Sequence, residues 1–150
     1  MAYQLAQMNL AVLRAPLDSP LLAGFAMELG RINALAESSP GFVWRLQDAA
    51  GDATALRPLG DDTLINMSVW QDMASFRRYV YESEHVEFLR RRREWFVQSG
   101  ETRLVMWWER AGVIPGVATG LGKLALLRAQ GPTQEAFTFA VQFPPPVTVP

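Results

Sequence analysis

Residues 63–99, TLINMSVWQDMASFRRYVYESEHVEFLRRRREWFVQS, decide how the chain is read. The first eight alternate, with Ile65, Met67 and Val69 on one side and Asn66, Ser68 and Trp70 on the other, which is the period of a strand with one aliphatic and one mixed face. Asp72 then offers an N-cap, and Met73, Phe76, Tyr79 and Val80 form a helical stripe. Ser83 is expected to recap a second helix carrying Val86, Leu89, Arg93 and Phe96 as far as Gly100, with His85, the single histidine, in its first turn.

Working outward, residues 3–13 repeat the two-faced pattern: Ala6, Met8, Leu10 and Val12 make a wholly apolar side, while Gln7 and Asn9 punctuate the other. A helix is expected from Asp18 or Ser19, with Pro20 in its first turn and Leu22, Phe25, Leu29, Ile32 and Ala36 on one stripe, until Pro40-Gly41 stops it. Residues 42–47 read as a second strand, with Phe42, Trp44 and Leu46 on one side and Val43, Arg45 and Gln47 on the other. The aspartates of the connection 48–62 lack the spacing of a calcium loop and read as solvated turns. A fourth strand covers 102–109. A helix opened by Pro115, striped by Leu121, Leu124 and Leu127 and closed by Gly131, leads to a proline-rich extended strap.

The order strand, helix, strand, strand, helix, strand is a ferredoxin-like βαββαβ α+β arrangement with a four-stranded antiparallel sheet and one added C-terminal helix. Residues 1–112 are expected to form the α/β-barrel domain and residues 113–150 a helix and strap packed on it. Two helices cannot cover both faces of such a sheet, yet both faces read as covered, and a second copy packed sheet to sheet is the simplest way to hide the second one. The expectation is a homodimeric α/β barrel.

Bulk properties narrow the function. At 150 residues the chain can bury about 70% of its unfolded surface in one core without staples. Fourteen basic against fifteen acidic side chains give a net charge of −1, so no field draws the protein to nucleic acid or an anionic membrane. The absence of cysteine excludes disulfides, thiol nucleophiles and cysteine-containing zinc sites, and is compatible with a cytoplasmic protein. The N-terminal residues lack the pattern of a secretory signal, and IPGVATGLGKLALL is interrupted by glycines and Lys123 before it reaches a membrane-spanning length, so a soluble, unprocessed chain is expected.

Candidate site residues follow from the mixed faces. Amides on a buried strand face need partners, since an unpaired one costs about 1–3 kcal/mol, and Asn9, Asn66 and Ser68 can either be satisfied locally or line a pocket. Trp44 and Trp70 are the tryptophans expected beside a ligand, with Tyr79 on the adjoining helix and Arg45 as an anion partner. His85 alone has an unperturbed pKa near neutrality, so imidazole chemistry uses it or nothing. One histidine is compatible with an axial haem ligand and incompatible with a multi-histidine metal site. Arg90 to Arg93 point around their helix beside Glu87 and read as a solvated face, from which Arg92 or Arg93 can reach toward an anionic substrate.

Asn66, Trp70 and Ser83-Glu84-His85 resemble the antibiotic-biosynthesis-monooxygenase type of dimeric α/β barrel, in which the third strand ends in a tryptophan with an asparagine four residues earlier, followed by a helix with a serine-x-histidine step. More closely, NLAVLRAPLDSP, INALAESSPGFVWRLQD, SVWQDMASFRRYVYESEHVEFLRRRREWF, LVMWWERAGVIP and GPTQEAFTF resemble a bacterial domain-of-unknown-function family in that superfamily. The resemblance implies the fold. It also implies a monooxygenase-like or haem-dependent oxidative enzyme acting on a small apolar or aromatic molecule. In cofactor-free relatives amide and indole donors, here Asn66 and Trp70, would stabilise a substrate oxyanion. The haem-degrading branch uses an asparagine on the first strand, a tryptophan on the third and a histidine on the following helix, to which Asn9, Trp70 and His85 are similar, with His85 falling later after the tryptophan than in that branch. Sharing a fold does not share a reaction, and a non-catalytic binding or biosynthetic accessory dimer is the alternative.

Overall fold

Cross-strand register sets the layout of the molecule. In the computed structural model, which describes residues 2–147, β1 (Tyr3–Val12) lies antiparallel to β3 (Thr63–Trp70) with Leu5 opposite Trp70, Gln7 opposite Ser68 and Asn9 opposite Asn66. The alternating apolar and polar positions of the two strands therefore fall in phase, and the sheet acquires one aliphatic and one mixed face. Adding β2 (Phe42–Arg45) and β4 (Leu104–Arg110) gives a four-stranded antiparallel sheet in the order β2-β3-β1-β4.

The helices α1 (Ala23–Ser38), α2 (Met73–Glu82) and α3 (His85–Arg90) belong to the mixed face. Leu5, Trp70 and Met106 pack there against Ala36, Phe76, Tyr79 and Val80, and Leu13 and Leu64 pack against Leu22, Phe25 and Trp95. Pro20 opens a short 3-10 turn, Pro20–Leu22, and α1 proper begins only at Ala23, a few residues later than the cap signal implies. Asp72 caps α2 as expected, its carboxylate accepting the Ser75 amide proton at 2.8 Å. Gly41 makes the turn into β2 at φ +84°, where a Cβ would run into the Ser75 side chain.

The expected long helix after Ser83 is broken. α3 ends at Arg90, a single turn α4 (Arg92–Trp95) follows, and Phe96 leaves the helix to bridge Leu13, with the Val97 amide donating to Val12. Trp95 is buried under Leu22 and Phe25. Pairing with the end of β1 and seating that indole override the helical pattern, a tertiary effect that periodicity does not carry.

β2 also departs from its alternation. Phe42 pairs with Trp70, but the register shifts before Trp44, which pairs with Val69, while Arg45 pairs with Ser68. A bulge puts two residues against one and re-aims those that follow. Phe42 thus meets Trp70 edge to face on the mixed side at 5.5 Å, whereas Trp44 and Leu46 join the aliphatic cluster.

The aliphatic face is covered by the chain itself. α5 (Val117–Gln130) lays Leu124 and Leu127 over Ala6, Met8, Ile65, Met67, Val69 and Val105. Gly120 comes so close to Met8 that a Cβ there would collide with the methionine's terminal methyl. This corrects the premise of the sheet-to-sheet dimer: the face assigned to a second copy is occupied by α5, a third helix that the count of two left out.

After Gly131 the chain passes the β4 edge, where Phe137 and Met106 exchange backbone hydrogen bonds of 2.9 Å, and it then turns onto the mixed side. Phe139 stacks on Phe76 at 5.3 Å, and the Trp108 indole donates to the Phe143 carbonyl at 2.8 Å. The last three residues of the expected strap lie outside the described residues.

Candidate functional site

A cavity of about 480 Å³ opens between the mixed sheet face and the helices, bordered by α1, α2, α3 and the start of the connection after β2. That volume is in the range of small-molecule sites. Of the eight residues expected from sequence, seven reach it: Asn9, Arg45, Asn66, Ser68, Trp70, Tyr79 and His85. Trp44 does not. The β2 bulge places it across the sheet, packed with the aliphatic cluster.

The floor is a cross-strand polar cluster. Gln7 Nε2 donates to Asn66 Oδ1 at 2.7 Å and to Ser68 Oγ at 2.8 Å. Asn9 Nδ2 donates to Gln7 Oε1 at 3.0 Å and to Asn66 Oδ1 at 3.1 Å. Trp70 Nε1 donates to Ser68 Oγ at 2.9 Å. Gln7, 1% exposed, is the hub. It was not among the residues expected from sequence, where it registers only as polar punctuation of β1; the signal that could have found it is its position on Asn9's face, one step deeper.

These bonds fix which groups remain free. Trp70 is fully buried, its ring stacked on Tyr79 at 5.0 Å, and its only N–H is spent on Ser68. The expectation that the indole itself donates to a substrate oxyanion is therefore corrected: Trp70 acts on Ser68. The Ser68 oxygen accepts two protons, which uses both of its lone pairs, so its own O–H can only donate outward. Asn66 Oδ1 likewise accepts twice, and the donors of its Nδ2 have no protein acceptor among the described residues.

At the other end stands His85. Ser83 Oγ accepts the His85 amide proton at 3.1 Å, which sets the start of α3. The imidazole Nδ1 lies 3.1 Å from the Val80 carbonyl oxygen. A carbonyl only accepts, so Nδ1 carries the proton and Nε2 holds the lone pair. Burial against Tyr79 (4.7 Å) and Phe88 (5.9 Å) pushes the pKa below its ordinary value near 6.5, outweighing the Val80 carbonyl, which favours the charged form. The ring is neutral at pH 7. Tyr79 lies between His85 and Trp70, and burial raises its phenol pKa far above the ordinary 10 despite the opposing charge of Arg45. Tyr79 stays protonated and is not a base.

Arg45 forms part of the wall, its side chain 11% exposed. Nε donates to Glu37 at 2.7 Å and Nη2 to the Gly51 carbonyl at 2.7 Å, while Nη1 is buried with no partner. The arginine run behaves as a solvated face for the most part: Arg90 pairs with Glu87, and Arg91 pairs with Glu94 and lies over the Trp95 ring at 4.7 Å. Arg92 reaches the cavity border, where its Nη1 donates to the Leu89 carbonyl. Among the described residues no three histidines, cysteines or carboxylates gather as a metal site, and no helix is long and apolar enough to cross a membrane.

A family model described as a domain of unknown function, DUF3291, matches residues 4–149. The chain belongs to that family. No curated protein matches it. Among solved structures, the DUF3291 chain is similar to NE2512 of Nitrosomonas europaea, a protein of unknown function (13% identity, TM-score 0.51, covering 76% of this chain and 96% of that one). It is also similar to PA3566 of Pseudomonas aeruginosa (16%, 0.50, 75% and 98%). Both likenesses show the α+β fold alone. SnoaB of Streptomyces nogalater, a cofactor-independent oxygenase, also matches (20%, 0.47, 75% and 97%), too loosely to carry an inference about chemistry.

Proposed function

We propose that this DUF3291 protein is an oxidative enzyme of the cofactor-free, monooxygenase-like kind, acting on a small apolar or aromatic molecule in the cavity between sheet and helices. One observation carries the reading: a neutral imidazole with a free Nε2 and a cluster of outward-pointing donors border the same cavity from opposite ends, with two aromatic rings, Tyr79 and Trp70, spanning the gap.

In this reading His85 Nε2 removes a proton at one end of a conjugated substrate, from a ring hydroxyl or an activated methylene, and the charge delocalises onto a carbonyl oxygen at the other end, where the Ser68 O–H and Asn66 Nδ2–H groups hydrogen-bond it. The electron-rich anion reacts with dioxygen. For a methylene converted to a carbonyl, one oxygen atom enters the product and the other leaves as water with the two hydrogens.

Oxygen uptake with a panel of polyphenols tests this. Turnover that falls at least tenfold in both His85→Gln and Ser68→Ala supports it, whereas turnover unchanged in Trp70→Phe contradicts it, because Trp70 is what holds the Ser68 proton outward.

A haem-dependent version finds support in the same His85 geometry: Nδ1–H on a backbone carbonyl is how an axial histidine is oriented, and Nε2 would be the ligand atom. A Soret band in the purified protein that disappears in His85→Ala favours haem. Its absence after reconstitution removes that version. Ligand binding without oxygen uptake by any substrate favours the non-catalytic accessory reading. The homodimer belongs to this proposal too; light scattering that gives a single-chain mass at micromolar concentration contradicts it.

A further inference from the structure

α2 ends at Glu82 and α3 begins at His85, and the two residues between them include neither proline nor glycine. Ser83 makes the break. Its backbone is extended, at φ −112° and ψ −178°, which is the conformation of an N-cap and not of a helix interior. Its hydroxyl donates to the Tyr79 carbonyl, one of the last four of α2 that have no partner within the helix, and accepts the His85 amide proton at 3.1 Å. The Ser83 carbonyl accepts from the Val86 amide at 3.1 Å and opens the first turn of α3. Only a side chain that both donates and accepts can close one helix and start the next in this way. None of the six residues of α3 is fully buried, so the junction does more than packing to fix where the helix starts.

His85 is the first residue of α3, and its ring turns back onto α2. Nδ1 lies 3.1 Å from the Val80 carbonyl, another of the four that lack a helical partner. The C-terminal end of a helix carries the negative end of its dipole and favours a cation. A histidine that acts as a base becomes an imidazolium, and a carboxylate on its other nitrogen is one way to hold the charge. Among the described residues no carboxylate is hydrogen-bonded to this ring: Glu84 is paired with Arg31 at 2.9 Å and Glu87 with Arg90 at 2.5 Å. The Val80 carbonyl stands in that place. Burial beside Tyr79 and Phe88 disfavours the charged ring, and Val80 is the group that opposes the penalty.

We propose that the C-terminal end of α2, through the Val80 carbonyl, holds the imidazolium that forms when His85 Nε2 takes the substrate proton, and that Ser83 is the positioning residue that fixes the ring there. The proton passes from substrate to Nε2, the electron pair of the broken bond stays on the substrate as its anion, and the Nδ1 proton remains on Val80. This rests on the reading of His85 as the base, and it names the partner of that base and the residue that orients it.

The chain has one histidine, so the 15N spectrum of its imidazole reads the arrangement without turnover. In the wild type at pH 7.5 the proton is expected on Nδ1, with Nε2 bare. At a pH low enough to charge the ring, the Nδ1 proton should stay protected from exchange with water. Ser83→Ala removes both bonds of the hydroxyl and should give a mixture of the two tautomers in the folded protein, whereas Ser83→Thr keeps the hydroxyl and the wild-type spectrum. A role confined to stability would lower the unfolding midpoint and leave the tautomer as it was. With a polyphenol that supports oxygen uptake, Ser83→Ala should lower kcat about tenfold or more with KM within about twofold, and Ser83→Thr should restore kcat. Ser83→Cys, close in size but a weak donor and acceptor, takes the place of Ser83→Ala if that protein does not fold, with the same tautomer mixture expected. A wild-type ring protonated on Nε2, an Nδ1 proton that exchanges freely in the charged ring, or a pure Nδ1–H tautomer in the folded alanine or cysteine variant overturns the proposal. The expected spectra with no oxygen uptake by the wild type would leave the Ser83–Val80 junction standing and remove the oxygenase reading; oxygen uptake that Ser83→Ala leaves at the wild-type kcat would do the reverse.

Discussion

The two faces of one sheet have been put to opposite uses. On the aliphatic face, Ala6, Met8, Ile65, Met67, Val69, Val105 and Trp107 are sealed by α5, with Gly120 drawn against Met8. On the mixed face the same strands, offset by one residue, present Gln7, Asn9, Asn66 and Ser68 to a cavity. The difference teaches that function here follows from parity along two strands. Residues on one phase contribute packing, those on the other contribute donors, and a single bulge in β2 moves Arg45 to the donor side and Trp44 away from it.

Substitutions on the two faces should therefore fail in different ways. The largest effect is expected from Trp107→Ala, which empties a fully buried site on the sealed face and should lower unfolding stability by about 3–5 kcal/mol in a denaturant titration. Oxygen uptake per folded molecule with the polyphenol panel should be unaffected, and a parallel loss of uptake would break the separation of the faces. Next comes Gln7→Leu, which removes the hub of the polar cluster and leaves Ser68, Asn9 and Asn66 each short of a partner. Stability should fall by about 1–3 kcal/mol, and oxygen uptake should fall with it, because Ser68 is then free to turn its proton inward.

Trp70→Phe sharpens the contrast within the mixed face. It keeps a ring against Tyr79 but withdraws the proton from Ser68 Oγ, so turnover should drop about tenfold, equivalent to roughly 1.4 kcal/mol in the barrier, while the smaller ring in this fully buried site should lower stability less than Trp107→Ala does. The smallest effect concerns His85. Its folded pKa lies below the unfolded value near 6.5, so above that pH both states are neutral and the group contributes no pH dependence. As pH falls below about 6.5 the unfolded chain takes up the proton first, and stability declines until the folded pKa is passed. Stability curves from pH 7.5 to 5 should show this slope in the wild type and lose it in His85→Leu.

How much of this was legible in the sequence can be told residue by residue. The split of β3 into Ile65, Met67 and Val69 against Asn66, Ser68 and Trp70 was legible because period-2 alternation survives folding unchanged. The Asp72 cap and the bounds of α5 were legible because they are local; Gly131, at φ +73° with its amide on the Leu127 carbonyl, ends α5 where the sequence puts the stop. The β2 bulge was not legible, because it is a relation between β2 and β3 and leaves no mark within FVWR. The break after Arg90 was hidden for the same reason: Phe96 is claimed by Leu13, far away in sequence. Gln7 was overlooked because a lone polar residue on a strand reads as exposure until its partners are placed. The covering of the second face was misassigned by treating α5 as an accessory to the barrel.

The central claim, that ligand chemistry belongs to one face of the sheet alone, can be read directly from two indole protons. Trp70 Nε1–H donates to Ser68 on the mixed face, and Trp107 Nε1–H lies near Glu109 on the sealed one. In 15N-labelled protein, with the indole resonances assigned by Trp70→Phe and Trp107→Phe, anaerobic titration with a polyphenol of the panel should shift the Trp70 signal in proportion to occupancy and leave that of Trp107 in place. A Trp107 signal that moves while Trp70 stays fixed would contradict the account.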